Sequence, residues 1–309
     1  MKVLLAGATG TIGRAVLARL LADGHDVTCL VRTSSALPEG VARREADLTR
    51  GALDTDDLAG MDAVVSCMAS RSGAPKDAWA VDHAANLALL RAAQTAGVGQ
   101  FVLLSAICVQ KPLLEFQRAK LAFEAELQAS GLRHAIVRPT AFFKSLSGQV
   151  ARVQTGKPFL LFGDGRLTAC KPISDRDLAA YIVGCLTDPD RTGILPIGGP
   201  GPALTPRDQA EMLFQMTDQP PKFRSLPVGV MDAIIGALSL AGRVVPSLRT
   251  KADFARIGRY YATESMLVWN GARYDADATP EYGTDTLRDH YVALLRGEVT
   301  TDLGEHAVF

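Results

Sequence analysis

A glycine-rich turn near the start of the chain has the residue types and spacing of a phosphate-binding loop. It follows the apolar run Lys2–Ala6 and precedes Arg14–Ala22, whose apolar residues have helical spacing. The turn consists of small and apolar residues, among them Gly7, Thr9, Gly10, Thr11, Ile12 and Gly13. Glycines let the backbone approach a pyrophosphate, and the start of the helix offers N–H groups and partial positive charge. We therefore predict a dinucleotide site at this turn. A tight strand-to-helix turn without a ligand is the less favoured alternative.

The end of the second predicted strand, Asp26–Val31, distinguishes the two nicotinamide dinucleotides. An acidic residue at this point binds the ribose 2′-hydroxyl of NAD, whereas a cation accommodates a 2′-phosphate. The strand is followed by Arg32, Thr33 and Ser34. We therefore expect NADPH as the cofactor, with these three residues in its site. The alternative is that Arg32 is a solvated loop charge.

A serine, a phenylalanine and a lysine form a second group of residues that could carry out chemistry. Ser105 ends the apolar run Gln100–Ser105, and Lys120 follows on a predicted helix, Leu113–Ala129. Phe116 lies four residues before Lys120, on the same helix face. A tyrosine in that place could protonate a carbonyl oxygen, but phenylalanine has no hydroxyl. A reductase with this pair is not expected to reduce a carbonyl in the usual way.

Strand-like and helix-like segments alternate through the first 197 residues. Further strands are predicted near 42–48, 62–67, 133–138 and 193–197, and further helices near 77–96 and 175–186. The alternation predicts an α/β fold, a Rossmann-type doubly wound parallel sheet. Ligands of such a sheet bind beyond the strand C-termini. The other residues expected there, and so in the cofactor site, are Asp47, Leu48, Met68, Ala69, Ser105, Pro139 and Thr140.

The alternation loosens after residue 140, where the substrate is expected to bind. A helix is predicted from Thr140 to about Gln154, and the segment of about 140–172 is expected to contact substrate. The proline- and glycine-rich stretch Gly198–Pro202 marks a boundary. We therefore predict an NADPH-binding domain over residues 1–197. A smaller, mainly helical substrate-binding or lid region follows over residues 198–309.

The apolar segment Leu226–Pro246 has two interpretations. A membrane span needs ~20 predominantly apolar residues, and Asp232 and Arg243 interrupt this segment. We favour a buried helix, or one that lines an apolar pocket. The alternative is a lid over a large flat hydrophobic substrate, in contact with a membrane surface.

Composition is typical of a cytoplasmic enzyme. The chain has 309 residues, 48% of them hydrophobic, and a formal net charge of zero, so no nucleic-acid partner is expected. The five cysteines are scattered without a Cys-x-x-Cys pair, and the histidines lack metal-ligand spacing. Neither disulfides nor a protein metal site is expected. Because residue 1 leads directly into the first strand, no signal peptide is expected either.

Five sequence blocks resemble those of a known enzyme family. They are Gly7–Gly13, Ser105–Lys120, Arg138–Leu146, Phe162–Gly165 and Ala169–Ser174. The chain resembles the divinyl chlorophyllide or protochlorophyllide 8-vinyl reductases, NADPH-dependent members of the atypical short-chain dehydrogenase/reductases that act in chlorophyll and bacteriochlorophyll synthesis. The first block is shared by many reductases, the second and last are more specific, and the C-terminal third matches loosely.

The resemblance implies reduction of the 8-vinyl group of a tetrapyrrole substrate to ethyl. In short-chain reductases a tyrosine stands where this chain has Phe116, and the counterpart of Lys120 binds the nicotinamide ribose. A conjugated vinyl group can accept hydride at its terminal carbon without forming an alkoxide, which fits the missing hydroxyl. Phe116 would then offer a flat apolar surface near the macrocycle, or belong to the core. Water or a nearby side chain would supply the proton.

Several alternatives stay open at this level. Lys144 and Lys171 could hold the pigment's propionate, although a solvated lysine is the expectation for each. The enzyme could instead reduce another aromatic or quinone-like substrate, or the chain could be a non-catalytic NADPH-sensing regulator. Contact with the photosynthetic membrane is a further option for a cytoplasmic enzyme with so apolar a substrate. The oligomeric state is not constrained.

Overall fold

The computed structural model describes residues 1–32, 37–51, 53 and 55–300. Its chain forms two compact units. The first comprises Met1–Pro139 and Asp175–Ile197, and the second comprises Thr140–Ser174 and the described chain from Gly198 onward. In this division residues 140–174 cluster with the C-terminal part of the chain.

Strands and helices alternate along the first two thirds of the chain, and helices dominate the rest. The strands are β1 (Lys2–Ala6), β2 (Asp26–Val31), β3 (Ala42–Glu45), β4 (Ala63–Ser66), β5 (Gln100–Leu104), β6 (Arg133–Pro139), β7 (Phe159–Phe162), β8 (Gly193–Ile197), β9 (Phe223–Leu226), β10 (Val268–Trp269) and β11 (Tyr274–Asp275). The α-helices are α1 (Thr11–Ala22), α2 (Pro75–Ala78), α3 (Asn86–Thr95), α4 (Glu115–Ala129), α5 (Val150–Gln154), α6 (Asp175–Gly184), α7 (Pro206–Met216), α8 (Val228–Ala241), α9 (Pro246–Thr263) and α10 (Leu287–Leu295). A π-helical segment, Trp79–Ala85, joins α2 to α3.

The first unit is built on a seven-stranded sheet, which confirms the predicted doubly wound fold. The strand order is β3-β2-β1-β4-β5-β6-β8, and every neighbouring pair is parallel. Leu4, Val64 and Phe101 pack in one core with residues of α3 and α4, while α1 packs along α6. Strands covered on both faces are apolar throughout, as β1 and β4 largely are. From β1 the strand order runs to one side through β2 and β3, and then to the other side from β4 onward. The switch point therefore lies between β1 and β4, and ligands of such folds bind there.

The second unit is mainly helical, with small two-stranded sheets. Its core contains Phe143, Phe214 and Tyr291, and the Tyr291 hydroxyl donates to the Leu146 carbonyl (2.8 Å). The continuous helix predicted over 140–154 is wrong: a 3-10 turn, Phe143–Leu146, and the short α5 replace it. The Ser147 hydroxyl donates back to the Phe143 carbonyl (2.8 Å), and such bonds compete with helix propagation.

Helices α8 and α9 pack against each other as a pair. All residues of α8 are described, and none is buried, so the expected buried helix is wrong. Asp232 of α8 pairs with Arg259 of α9, and the apolar side chains of Val230, Ile234 and Leu240 are exposed. No helix in the described part of the chain is long and apolar enough to cross a membrane.

Candidate functional site

The glycine turn between β1 and α1 is fixed by two close backbone approaches. Gly7 has a φ of 81°, and a Cβ there would lie 2.6 Å from the carbonyl group of Cys67. A Cβ on Gly13 would lie 2.0 Å from the Gly7 carbonyl oxygen. Neither residue can carry a side chain without moving the turn. At Gly10, by contrast, the nearest protein atom to a Cβ would be 3.5 Å away, so packing within the protein does not require this glycine.

The start of α1 is suited to an anion. No side chain caps its N-terminus, and its first turn has no acidic residue. Thr9 and Gly10 are exposed and Thr11 is half-buried, whereas the Ile12 side chain is in the core, so Ile12 can contribute only its N–H group. The first N–H groups of a helix have no intrahelical acceptor, and the helix dipole favours negative charge there. The cradle therefore fits a pyrophosphate.

The ends of β2 and β3 bring charged residues to the same edge of the sheet. Arg32 is exposed directly after β2, and Leu48 is 9% exposed and belongs to the core. Asp47 accepts a hydrogen bond from the Thr49 hydroxyl (2.6 Å), which holds the pKa of its carboxyl below the usual range, with smaller contributions from the Arg50 and Arg32 charges. Asp47 is thus ionised at neutral pH and within electrostatic reach of Arg32.

Two predicted cofactor residues, Thr33 and Ser34, lie outside the described residues. After β4, Met68 is half-buried against the core and Ala69 is exposed. Both therefore lie at the C-terminal edge, as predicted, next to the switch point.

Ser105, after β5, is part of a buried polar network that the sequence did not reveal. Its hydroxyl donates to the Glu124 carboxylate (2.5 Å), and the same carboxylate pairs with Arg138. Ser105 is 5% exposed and Glu124 is 1% exposed. Because the Ser105 O–H group already donates its hydrogen bond to Glu124, the Ser105 oxygen can only accept a hydrogen bond from a cofactor.

The lysine of α4 has a buried acidic partner. The Nζ atom of Lys120 lies 2.8 Å from Oδ1 of Asp82, and their side chains are 13% and 0% exposed. Asp82 belongs to the π-helical segment. Phe116, one turn before Lys120, is 8% exposed. Sequence reasoning missed Asp82, although an acidic residue within the apolar stretch after Trp79 was a signal.

The last predicted cofactor residues lie on either side of the division between the units. Pro139 ends β6 and is buried at the C-terminal edge, whereas Thr140 begins the second unit. The Thr140 hydroxyl donates to the Lys171 carbonyl. Lys171 itself is 6% exposed, with Nζ 2.5 Å from Glu281 Oε1, so the expectation of a solvated lysine is wrong. Lys144 is half-buried.

The first unit thus brings together most of the predicted cofactor residues. All lie at or beyond the C-terminal ends of its strands, apart from the two on α4: the turn 7–13, Arg32, Asp47, Leu48, Met68, Ala69, Ser105, Phe116, Lys120 and Pro139. Thr140 is placed with the second unit. The arrangement can hold a dinucleotide along the edge of the sheet, with a lysine ammonium beside it.

Comparison with known proteins identifies the family. Residues 7–189 match the family described as NAD(P)H-binding. The divinyl chlorophyllide a 8-vinyl-reductase, chloroplastic, of Oryza sativa subsp. indica is 48% identical over 331 residues, covering 99% of this chain and 82% of that protein. Its counterpart in Arabidopsis thaliana is 46% identical over 333 residues, covering 99% of this chain and 79% of that protein.

Solved structures share the fold. MoeE5 in complex with UDP-glucose and NAD superposes with a TM-score of 0.70 at 19% identity, covering 97% of this chain and all (100%) of that one. An identity this low shows the fold alone, whereas the identity to the plant reductases extends over nearly the whole chain. The chain therefore belongs to the NAD(P)H-binding family and, within it, to the divinyl chlorophyllide a 8-vinyl-reductases.

Proposed function

We propose that this chain reduces the 8-vinyl group of a divinyl chlorophyllide or protochlorophyllide to ethyl, with NADPH as the hydride donor. The observation that carries the proposal is the pair on α4. Lys120 pairs with Asp82, which also accepts from the Ser70 N–H group after β4. The residue one turn before Lys120 is the buried Phe116, which has no proton to give to an oxygen. The identity of 46% to 48% with plant 8-vinyl-reductases over 99% of the chain supports the same reaction.

The reaction needs hydride and a proton but no acid at an oxygen. When bound, NADPH supplies the hydride, which adds to the terminal carbon of the vinyl group. The electron pair of the C=C bond moves into the conjugated macrocycle, and a proton from water or from a nearby side chain then joins the inner carbon to complete the ethyl group. No alkoxide forms on the substrate, so a phenol at position 116 has no oxygen to protonate. The apolar ring of Phe116 suits a flat macrocycle instead.

The residues of the chain bind and orient the reactants. The turn 7–13 and the start of α1 bind the pyrophosphate, and Lys120 donates to the hydroxyls of the nicotinamide ribose. Holding the nicotinamide against the vinyl group supplies much of the rate, because correct orientation replaces a chance encounter. Met68, Ala69, Ser105 and Pro139 surround the dinucleotide along the strand ends.

Preference for NADPH over NADH depends on Arg32. It stands directly after β2, where an NAD-binding protein has an acidic residue. A guanidinium group can bind the 2′-phosphate through two parallel hydrogen bonds. The Asp47 carboxylate interacts with Arg32 and is also engaged by Thr49 and by Arg50, whose Nε lies 3.4 Å away.

We also propose that the turn after α8 contacts the surface of an anionic membrane, where apolar pigments collect. Val244 is 85% exposed and Leu240 is 65% exposed. The exposed cations Arg243 and Lys251 follow in the same helix pair. Apolar tips beside cations are typical of proteins that lie on anionic lipid.

Vesicle binding tests the membrane contact. Val244→Ser should weaken sedimentation with phosphatidylglycerol vesicles several-fold, because it removes apolar area from the contact. The matched control is Ser247→Asn, at an exposed polar site nearby, and it should bind as the wild type does. Equal binding of Val244→Ser and wild type would contradict this contact and leave the reductase proposal intact.

A turnover assay tests the reductase proposal. Purified protein, NADPH and divinyl chlorophyllide are incubated without oxygen, and pigments are separated by chromatography while NADPH oxidation is followed. We expect one monovinyl product for each NADPH oxidised. NADPH binding without turnover of any acceptor would support a regulator instead, and turnover of quinones alone would support a different reductase.

A further inference from the structure

We propose that Asp82 is a positioning residue, whose carboxylate holds the Lys120 ammonium group where it can bind the nicotinamide ribose. The inference rests on the function proposed above for Lys120. It assigns the reaction a residue from the helix after β4, outside the segment 105–120 that carries the lysine.

The two oxygens of the Asp82 carboxylate differ in their contacts, and the main contact is with the charge of Lys120. Oδ1 lies 2.8 Å from Lys120 Nζ and accepts a longer bond from the Ser70 N–H group (3.3 Å). Oδ2 is buried and has no hydrogen-bond partner among the residues that the structure describes. A buried carboxylate oxygen without a partner costs stability, and a buried ion pair is a poor source of it. The arrangement is therefore better explained by its effect on Lys120 than by its contribution to folding.

The π-helical segment fixes Asp82 relative to the sheet. The wider turn leaves the carbonyls of Val81 and Asp82 to the Asn86 amide, which donates to both (3.1 and 3.3 Å). The Asn86 side-chain oxygen accepts in turn from the hydroxyl of Ser66, the last residue of β4 (2.6 Å). Single π turns within α-helices occur frequently at functional sites. Asp82 is thus tied to the end of a strand that borders the switch point.

The same segment is also tied to the start of α4. The indole N–H of Trp79 donates to Glu115 (3.0 Å), five residues before Lys120. The two ties, Trp79–Glu115 and Asp82–Lys120, join the π segment to the helix that carries the lysine. A lysine side chain has four rotatable bonds, and fixing its end costs entropy. Because the Asp82 carboxylate already holds the end of the Lys120 side chain, this entropy is lost on folding and does not oppose the binding of NADPH.

A double-mutant cycle on NADPH affinity tests the inference. The variants are Asp82→Asn, Lys120→Met and their combination, and the dissociation constant is measured by NADPH fluorescence. We expect Asp82→Asn to weaken binding about tenfold and Lys120→Met to weaken it more. The double variant should bind as weakly as Lys120→Met, because Asp82 acts through the lysine. The matched control is Asp77→Asn, which removes the charge of a carboxylate five residues before Asp82 that accepts a hydrogen bond from Ser72. This variant should leave NADPH affinity unchanged.

The outcomes separate the two hypotheses. If Lys120→Met binds NADPH as tightly as the wild type, the function proposed for the lysine is wrong. If Lys120→Met weakens binding but Asp82→Asn does not, or if the two losses multiply in the double variant, only the inference about Asp82 is wrong. Should Asp82→Asn be too unstable to titrate, Asp82→Glu moves the carboxylate by one methylene. We expect it to weaken binding several-fold, and unchanged affinity would overturn the inference.

Discussion

Substitution by alanine should have different effects at Gly10 and at Gly13, the two later glycines of the turn after β1. Replacing Gly13 should disturb both the fold and NADPH binding, because a Cβ there would lie 2.0 Å from the Gly7 carbonyl oxygen. Replacing Gly10 should disturb NADPH binding alone. Its backbone (φ −73°, ψ 166°) is open to alanine, and its Cβ would be 3.5 Å from the nearest protein atom.

The size of each effect follows from these distances. Real Cβ contacts are essentially never shorter than 3.0 Å, so in Gly13→Ala the turn and α1 must separate by about 1 Å. Forced packing of this kind costs about 1–3 kcal/mol, which lowers the melting temperature of a domain this size by several degrees. The displaced turn also loses hydrogen bonds to the pyrophosphate, worth about 1.5–3 kcal/mol each, so affinity should fall more than about a hundredfold.

For Gly10→Ala the expected loss of stability is under about 1 kcal/mol, the difference between glycine and alanine at a helix N-cap. Any larger loss of NADPH affinity then comes from collision of the new methyl group with the phosphates. Thermal unfolding and fluorescence titration of both variants make the test. Wild-type NADPH affinity in Gly10→Ala would refute the close approach of the pyrophosphate, and wild-type stability in Gly13→Ala would refute the packing argument.

Three further predictions concern single side chains. Arg32→Ala should raise the dissociation constant for NADPH roughly 10- to 100-fold and leave that for NADH nearly unchanged; equal losses for both cofactors would contradict the role of the guanidinium group. Phe116→Tyr should retain vinyl reduction within about tenfold, because no oxygen is protonated, and a greater loss at unchanged stability would show that the argument is wrong. The Lys171 hydrogen bond lowers the pKa of Glu281, so this carboxylate stabilises the fold above its ordinary pKa of about 4.3 and loses that effect as pH falls through its lowered value. Urea unfolding should therefore show a difference in stability between Glu281→Gln and wild type that is largest at pH 7 and shrinks as the pH falls below the ordinary pKa of the carboxyl. A difference that does not shrink in acid would refute the ion pair's contribution.

Local patterns predicted the sheet and its cofactor edge well. Strands covered on both faces are largely continuous apolar runs. A glycine or a charged residue adjoins β1, β4 and β5 at one end (Gly7, Asp62 and Gly99), so these strands could be located from the sequence. Gly13 followed from the same logic, because a Cβ there would meet the backbone of Gly7, six residues earlier. The contact that excludes a Cβ at Gly7 is with Cys67, in a distant part of the chain, and could not be seen from the local pattern.

Features that depend on distant partners could not be predicted in this way. Lys171 looked solvated because its partner Glu281 lies in another part of the chain. Asp82 carried no local motif, and its meaning comes from Lys120 and from the hydrogen bond between Asn86 and Ser66. The apolar composition of α8 likewise did not predict its exposure. Composition indicates how strongly side chains favour burial, but not whether another element packs against them.

The most direct test of the central claim is the origin of the two hydrogens in the product. Divinyl chlorophyllide is reduced once with NADPH carrying deuterium at both C4 positions and once with ordinary NADPH in D₂O, and the ethyl group is examined by NMR. We expect one deuterium on the terminal carbon in the first experiment and one on the inner carbon in the second. An ethyl group that takes no deuterium from the labelled NADPH would contradict direct hydride transfer to the vinyl group.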